Sequence, residues 1–154
     1  MGFLFFERED FMRDMTEKEI RDFIEEWTWG TLIGVEGDQP YAVENTYATD
    51  GNNIYCGSMP GGRMARCIKQ NQKVAYKICN SDKSYREWKA VIIEGKAERL
   101  TAKEDLLFFV RLLAKKMGVA ENKFDPMVEK MAANPEKTNC VRIPMTVCGG
   151  RCSS

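Results

Sequence analysis

The stretch from Ile54 to Asn71, IYCGSMPGGRMARCIKQN, gathers the residue types that hold a phosphate. An apolar run of strand type, Ile54–Cys56, delivers a small hydroxyl residue, Ser58, and a glycine loop to the start of a helical stretch led by Arg63. Amide groups in a glycine turn and at a helix N-terminus have no internal acceptor, and the helix dipole there favours negative charge. A guanidinium beside them adds a bidentate donor for phosphate oxygens. Spacing alone leaves a second reading open: an ordinary loop whose arginine pairs with a surface acid.

The elements that must position this stretch follow from pattern. Thr16–Trp27 has a capping threonine, Glu19 three residues on, and Ile20, Phe23, Ile24 and Trp27 at helical spacing, which predicts a first helix after an irregular arm. Gly30–Val35 and Tyr41–Ala48 flank the turn cluster EGDQP, and TDGNN leads on to Ile54–Cys56, so three strands form an antiparallel meander. Lys73–Cys79 and Trp88–Ala97 read as further strands, with Gly95 marking a bend or bulge in the second. Thr101–Gly118 is the clearest helix: Thr101 caps, Leu106, Phe109, Val110, Leu113 and Met117 share a stripe, and Gly118 stops it. A poorer helix spans Pro126–Ala133, and Asn139–Val147 is a last strand with Pro144 at an edge or bend. The connections between most neighbouring strands are too short for parallel crossovers, which favours an antiparallel barrel with peripheral helices.

Composition narrows the chemistry. Histidine is absent, which removes the usual base of hydrolytic triads and the commonest ligand of zinc and haem. Lysine plus arginine and aspartate plus glutamate both number 23, so no net field draws the protein toward nucleic acid. No apolar run approaches a membrane span. The N-terminal MGFLFFERED places acids directly after its apolar cluster, unlike an export signal, so a cytoplasmic location is expected, with the six cysteines reduced and mostly serving as small core residues. Cys148 and Cys152 flank Gly149–Arg151, but no second pair completes a metal site. The neighbouring acids Glu25–Glu26 and Glu104–Asp105 diverge on their helices and read as solvated faces. With 154 residues, one domain is expected, in which residues 1–15 form an arm whose Phe3–Phe6 cluster packs on a partner chain or closes its own barrel.

The order Pro40-Tyr41, strand, Asp50-Gly51, Ile54-Tyr55, Ser58, Gly62-Arg63, helix, Asn71 resembles the flavin-binding split barrels related to pyridoxamine 5'-phosphate oxidase, in particular their nitroimidazole-resistance branch. The likeness continues through VIIEGKAERL (Val91–Leu100) and the long helix, and the closing GGR (Gly149–Arg151) is similar to the family's final glycine and basic residue. It implies a mainly β fold with peripheral helices: a six-stranded antiparallel split barrel, working as a homodimer with FMN in two equivalent interface sites. It also implies that Ser58, Gly62 and Arg63 hold the FMN phosphate, with Cys56, Gly57 and Met64 among the other cofactor-binding positions. Met64 stands where the family's basic pair has lysine, and Gly57 where the nitroimidazole branch has histidine, opening space beside the flavin. By the same likeness Glu44, Asn45 and Thr46 run alongside the isoalloxazine, while Trp88 from the partner subunit and Arg151 approach it. The activity implied is that of a flavin-dependent oxidoreductase on a small molecule, by nitroaromatic reduction or amine oxidation, with a non-catalytic flavin carrier or sensor, or a structural dimer, as alternatives.

Overall fold

Helix α1 (Glu17–Glu26) begins where its capping signal lies: the Thr16 hydroxyl accepts from the Glu19 amide at 3.2 Å and the Glu19 carboxylate accepts from the Thr16 amide at 3.0 Å. The computed structural model describes residues 11–154, so the Phe3–Phe6 cluster lies outside the described residues. The later part of the expected arm is ordered into the fold. Met12–Asp14 forms strand β1, paired with the C-terminal strand, and Met15 is buried in the core.

The remaining elements are β2 (Trp29–Glu36), β3 (Gln39–Thr49), β4 (Asn53–Gly57), α2 (Arg63–Gln70), β5 (Lys73–Ser81), β6 (Trp88–Lys96), β7 (Glu98–Arg99), α3 (Lys103–Met117), α4 (Asp125–Ala133), β8 (Cys140–Pro144) and β9 (Val147–Ser153). All strand pairs are antiparallel, in the order β1-β9-β6-β5-β2-β3-β4-β8-β7. The split-barrel class holds, with nine strands where the sequence predicts six. Two of the additions, β1 and β7, are edge pieces of three and two residues, too short to show a periodicity. The third arises because Pro144 ends a strand: the chain turns at Met145, whose amide donates to the Asn52 carbonyl at 2.9 Å, and β9 then inserts between β1 and β6.

Glycines allow this closure. At Gly95 the β5–β6 register runs on without a bulge, and the residue's function is close approach, since a Cβ there would stand 3.2 Å from the Pro144 carbonyl as β6 passes β8. At Gly150 a Cβ would stand 2.9 Å from both Met15 and Ile20, so α1 can lie against β9 only over a bare backbone.

Inward residues of alternate strand positions, among them Leu32, Ile54, Cys56, Tyr76, Ile78, Val91, Ile93, Val141 and Ile143, form the core with Phe23 and Ile24 of α1 and Met64, Cys67 and Ile68 of α2. A second cluster lies on the opposite side of β4, where Tyr55 meets Leu106, Phe109 and Val110 of α3 and Val128 of α4. Helix α3 starts one residue later than its pattern suggests, with Ala102 and not Thr101 as N-cap, and ends at Gly118 in the left-handed conformation, φ 67°. Met117, expected on the apolar stripe, is exposed, and Ala114 takes the last buried place. Cys56, Cys67 and Cys152 are buried, Cys140 and Cys148 half-buried and Cys79 exposed; burial pushes the Cys56 thiol up to about 12 and that of Cys140 up to about 11.

Lys116 ties three elements together. Its ammonium lies 3.8 Å from the Tyr47 ring centroid and donates to the Ile24 carbonyl at 3.3 Å, while the Tyr47 hydroxyl donates to the same carbonyl at 2.7 Å. Burial outweighs the attraction of Glu25 and pulls the lysine down to about 8 from its ordinary 10.5. Between those values the unfolded chain holds a proton the folded one lacks, so this residue makes stability rise with pH from about 8 to 10.5. The buried thiols work in the opposite sense, and the comparison with Lys116→Met isolates the lysine. Urea midpoints measured across this window should rise less, or fall more, in the variant; superimposable profiles would show that Lys116 titrates normally.

Candidate functional site

The barrel splits along β3. That strand pairs with β2 from Gln39 to Thr46, but with β4 only from Tyr47 to Thr49. Its Tyr41–Asn45 stretch therefore turns an edge free of strand partners, among the described residues, toward the loop after β4 and the start of α2. Between them lies a cleft of about 230 Å³, to which β3 contributes Tyr41, Val43, Glu44 and Asn45, and the opposite wall Gly57–Met59 and Gly62–Met64.

The turn that opens this wall is tight. Gly61 has φ 70°, the Gly62 amide donates to the Met59 carbonyl at 3.0 Å, and a Cβ on Gly62 would stand 3.0 Å from that oxygen. No side chain caps α2 at Gly62, so the first-turn amides of the helix remain without a capping acceptor beside the cleft. Ser58 is held from behind: its amide donates to the Asn139 carbonyl at 3.0 Å and its hydroxyl accepts from the Asn139 side chain, which leaves the hydroxyl proton to donate elsewhere. Asn139 is buried and lies just before β8, so the serine is fixed by a residue 81 positions away.

Arg63 lies with its guanidinium carbon 4.5 Å from the Tyr41 ring centroid and its Nε donating to Glu36 at 3.2 Å. The surface-acid pairing left open by the sequence is thus present, and it engages one edge of the guanidinium. Across the cleft, Asn45 is locked by two bonds: its amide nitrogen donates to the Gly57 carbonyl at 2.9 Å, and its oxygen accepts from the buried Tyr76 hydroxyl at 2.7 Å. The Glu44 carboxylate accepts from the Thr31 hydroxyl on the outer face of the sheet.

The structure brings together seven of the expected site residues, Glu44, Asn45, Gly57, Ser58, Gly62, Arg63 and Met64. Met64 reaches the cleft from the core side, its sulfur packed 3.1 Å from where a Gly34 Cβ would be. Cys56 points into the core, Thr46 is exposed opposite Trp29, and neither lines the cleft. Trp88 and Arg151 belong to another concavity, of about 530 Å³, on the outer face of β6 and β9. Arg151 sits in β9 opposite Ala90, with its Nε 3.4 Å from Asp14. Cys148 and Cys152 share the inward face of β9, four positions apart, Cys152 buried and Cys148 half-buried. Sequence reasoning missed Tyr41 and Val43 as lining residues, Asn139 as the serine's support, and Arg66, whose Nε donates to Glu36 at 3.0 Å. Arg66 was legible as the residue one helical turn beyond Arg63; Asn139 left no local signal.

Fold and cleft together define an antiparallel split barrel with an uncapped, glycine-led helix start at its seam. The pyridoxamine 5'-phosphate oxidase pattern matches residues 16–151, and the chain belongs to that family. It is 36% identical over 92 residues to an uncharacterized protein, RA0666, of Rhizobium meliloti (strain 1021), a match that spans 60% of this chain and 60% of that relative. Among solved structures it is similar to the conserved hypothetical protein Rv2991 of Mycobacterium tuberculosis, with a TM-score of 0.74, 27% identity and coverage of 92% and 86% of the two chains. It shares its fold with a FAD-binding protein (mll6688) of Mesorhizobium loti, with a TM-score of 0.65, 19% identity and coverage of 93% and 99%. Among the described residues no helix is long and apolar enough to cross a membrane, and no group of three metal-ligating side chains converges.

Proposed function

We propose that this chain binds FMN in the seam between β3 and α2 and acts, as a cytoplasmic homodimer, as a flavin-dependent oxidoreductase on a small molecule of the nitroaromatic or amine class. The observation that carries this reading is the uncapped, glycine-led start of α2 with the Arg63 guanidinium beside a free strand edge. Arg63, the first-turn amides of α2 and the Ser58 hydroxyl would hold the phosphate, and the free edge at Glu44 and Asn45 would meet the polar rim of the ring. Bound flavin supplies the redox chemistry; the chain's own residues bind it, orient it and keep water from one face.

The cleft supports a dimer through its size. Pockets for organic ligands run to roughly 300–1,000 Å³, whereas this one offers about 230 Å³, enough for the phosphate and its tether but not for the ring as well. The outer sheet face carries exposed Ile92 and Val147 beside Trp88 and Gly149, an apolar surface on which a second copy would both bury these side chains and bring Trp88 and Arg151 toward the neighbouring ring. A carrier or sensor role remains the second reading, because Glu44, the one carboxylate among the described residues that line the cleft, is engaged by Thr31.

Titration of purified protein with FMN, FAD and riboflavin, followed by absorption between about 300 and 700 nm and by sedimentation, tests the proposal. Saturable FMN binding by a dimer is the expected result. A monomer, or a protein that leaves FMN unbound in excess, would overturn it. Reoxidation of the reduced protein by a nitroaromatic panel then separates enzyme from carrier.

A further inference from the structure

Arg63 donates through Nε alone to Glu36, and among the described residues neither of its terminal nitrogens has a hydrogen-bonding partner, although the residue lines the cleft. Its plane is backed by Tyr41 at 4.5 Å. Glu36 ends β2 and Tyr41 lies near the start of β3, so one hairpin holds both the edge and the face of the guanidinium. The second oxygen of Glu36 accepts from Arg66 Nε at 3.0 Å, and Arg66 foremost, then Arg63, holds that carboxyl below the usual carboxylate range.

From this geometry we infer that Glu36 is a positioning residue for anion binding: it grips the Nε edge of Arg63 so that both terminal nitrogens face the cleft, while Arg66 neutralises the carboxylate that would otherwise repel an incoming phosphate. The inference rests on the flavin-phosphate reading and extends it to two residues outside the cleft lining. Arginine is a long side chain with much rotamer freedom, and ordering such a side chain at the moment of binding weakens affinity by roughly 3- to 10-fold. Glu36 removes that penalty beforehand. Arg66 supplies the second positive charge that Met64 does not, acting through Glu36 and not by touching the ligand.

The test compares FMN with riboflavin, which differ by the phosphate, in wild type, Glu36→Ala, Glu36→Gln and Arg66→Ala. Glu36→Ala should weaken FMN about 3- to 10-fold and leave riboflavin unchanged, so the affinity ratio falls by that factor. Glu36→Gln keeps an oxygen for Arg63 Nε and should restore most of the ratio. Arg66→Ala should lower the ratio in the wild-type background and change it little beside Glu36→Gln, where no carboxylate needs neutralising. Unchanged or tighter FMN binding by Glu36→Ala would overturn the inference, as would equal losses for FMN and riboflavin, which mark a merely structural role. A wild type that binds riboflavin and FMN equally would remove the phosphate reading itself, and this inference with it.

Discussion

Arg63→Ala should lose roughly 30- to 150-fold in FMN affinity, because hydrogen bonds to a charged group contribute about 2–3 kcal/mol net. Among the described residues Arg63 is the only charged donor that lines the cleft, so on the FMN reading its removal would leave the phosphate to the helix amides and the Ser58 hydroxyl. Riboflavin should bind the variant as it binds wild type, and inorganic phosphate should compete with FMN in wild type but scarcely in the variant. The urea midpoint should move little, since the side chain is 39% exposed and its pairing with Glu36 is a surface one. Fluorescence titration decides the matter: FMN bound equally well by Arg63→Ala would place the phosphate somewhere else.

A change on β2 should damage both fold and site. At Gly30 an added Cβ would stand 2.3 Å from Tyr76 Cε1 and 2.7 Å from both Cζ and the hydroxyl oxygen. These atoms belong to a rigid ring that is fully buried and packed edge-on against Tyr47 at 5.6 Å, so no flexible chain end can move aside. Gly30→Ala must shift either the strand or the ring. Overpacking of this kind costs about 1–3 kcal/mol, and a displaced ring also forfeits the Tyr76–Asn45 bond at a further ~1 kcal/mol. A loss of about 2–4 kcal/mol is large against the roughly 5–15 kcal/mol of a typical domain. Because Asn45 spans the seam to the Gly57 carbonyl, FMN binding should weaken as well. Tyr76→Phe, which keeps the ring, should lose only the hydrogen bond. A wild-type urea midpoint for Gly30→Ala would mean that the sheet absorbs the methyl group without moving Tyr76.

The pattern of helices and of the central strands was legible because each rests on contacts between near neighbours: the Thr16–Glu19 capping box, the Gly118 stop, and alternation along β5 and β6. The glycine loop and Arg63 were legible for the same reason, since the candidate phosphate cradle is one strand, one turn and one helix start in direct succession. Two-residue and three-residue strands carry no such period, and the fate of the last segment depended on whether β9 would find a place between β1 and β6.

Tertiary structure alone decided what surrounds the cradle. The split of β3 from β4 comes from the register, which pairs only Tyr47–Thr49, and no local feature of the strand announces it. Asn139 behind Ser58 and Tyr76 behind Asn45 are brought in from 81 and 31 positions away, and Glu36 reaches Arg63 across 27. Sequence determined which groups are available to bind an anion, because residue type and local spacing fix donor chemistry and helix ends. Which of those groups converge, and which pass into the core as Cys56 does or to the far face as Trp88 and Arg151 do, was set by strand order and closure, which depend on the burial of many side chains at once.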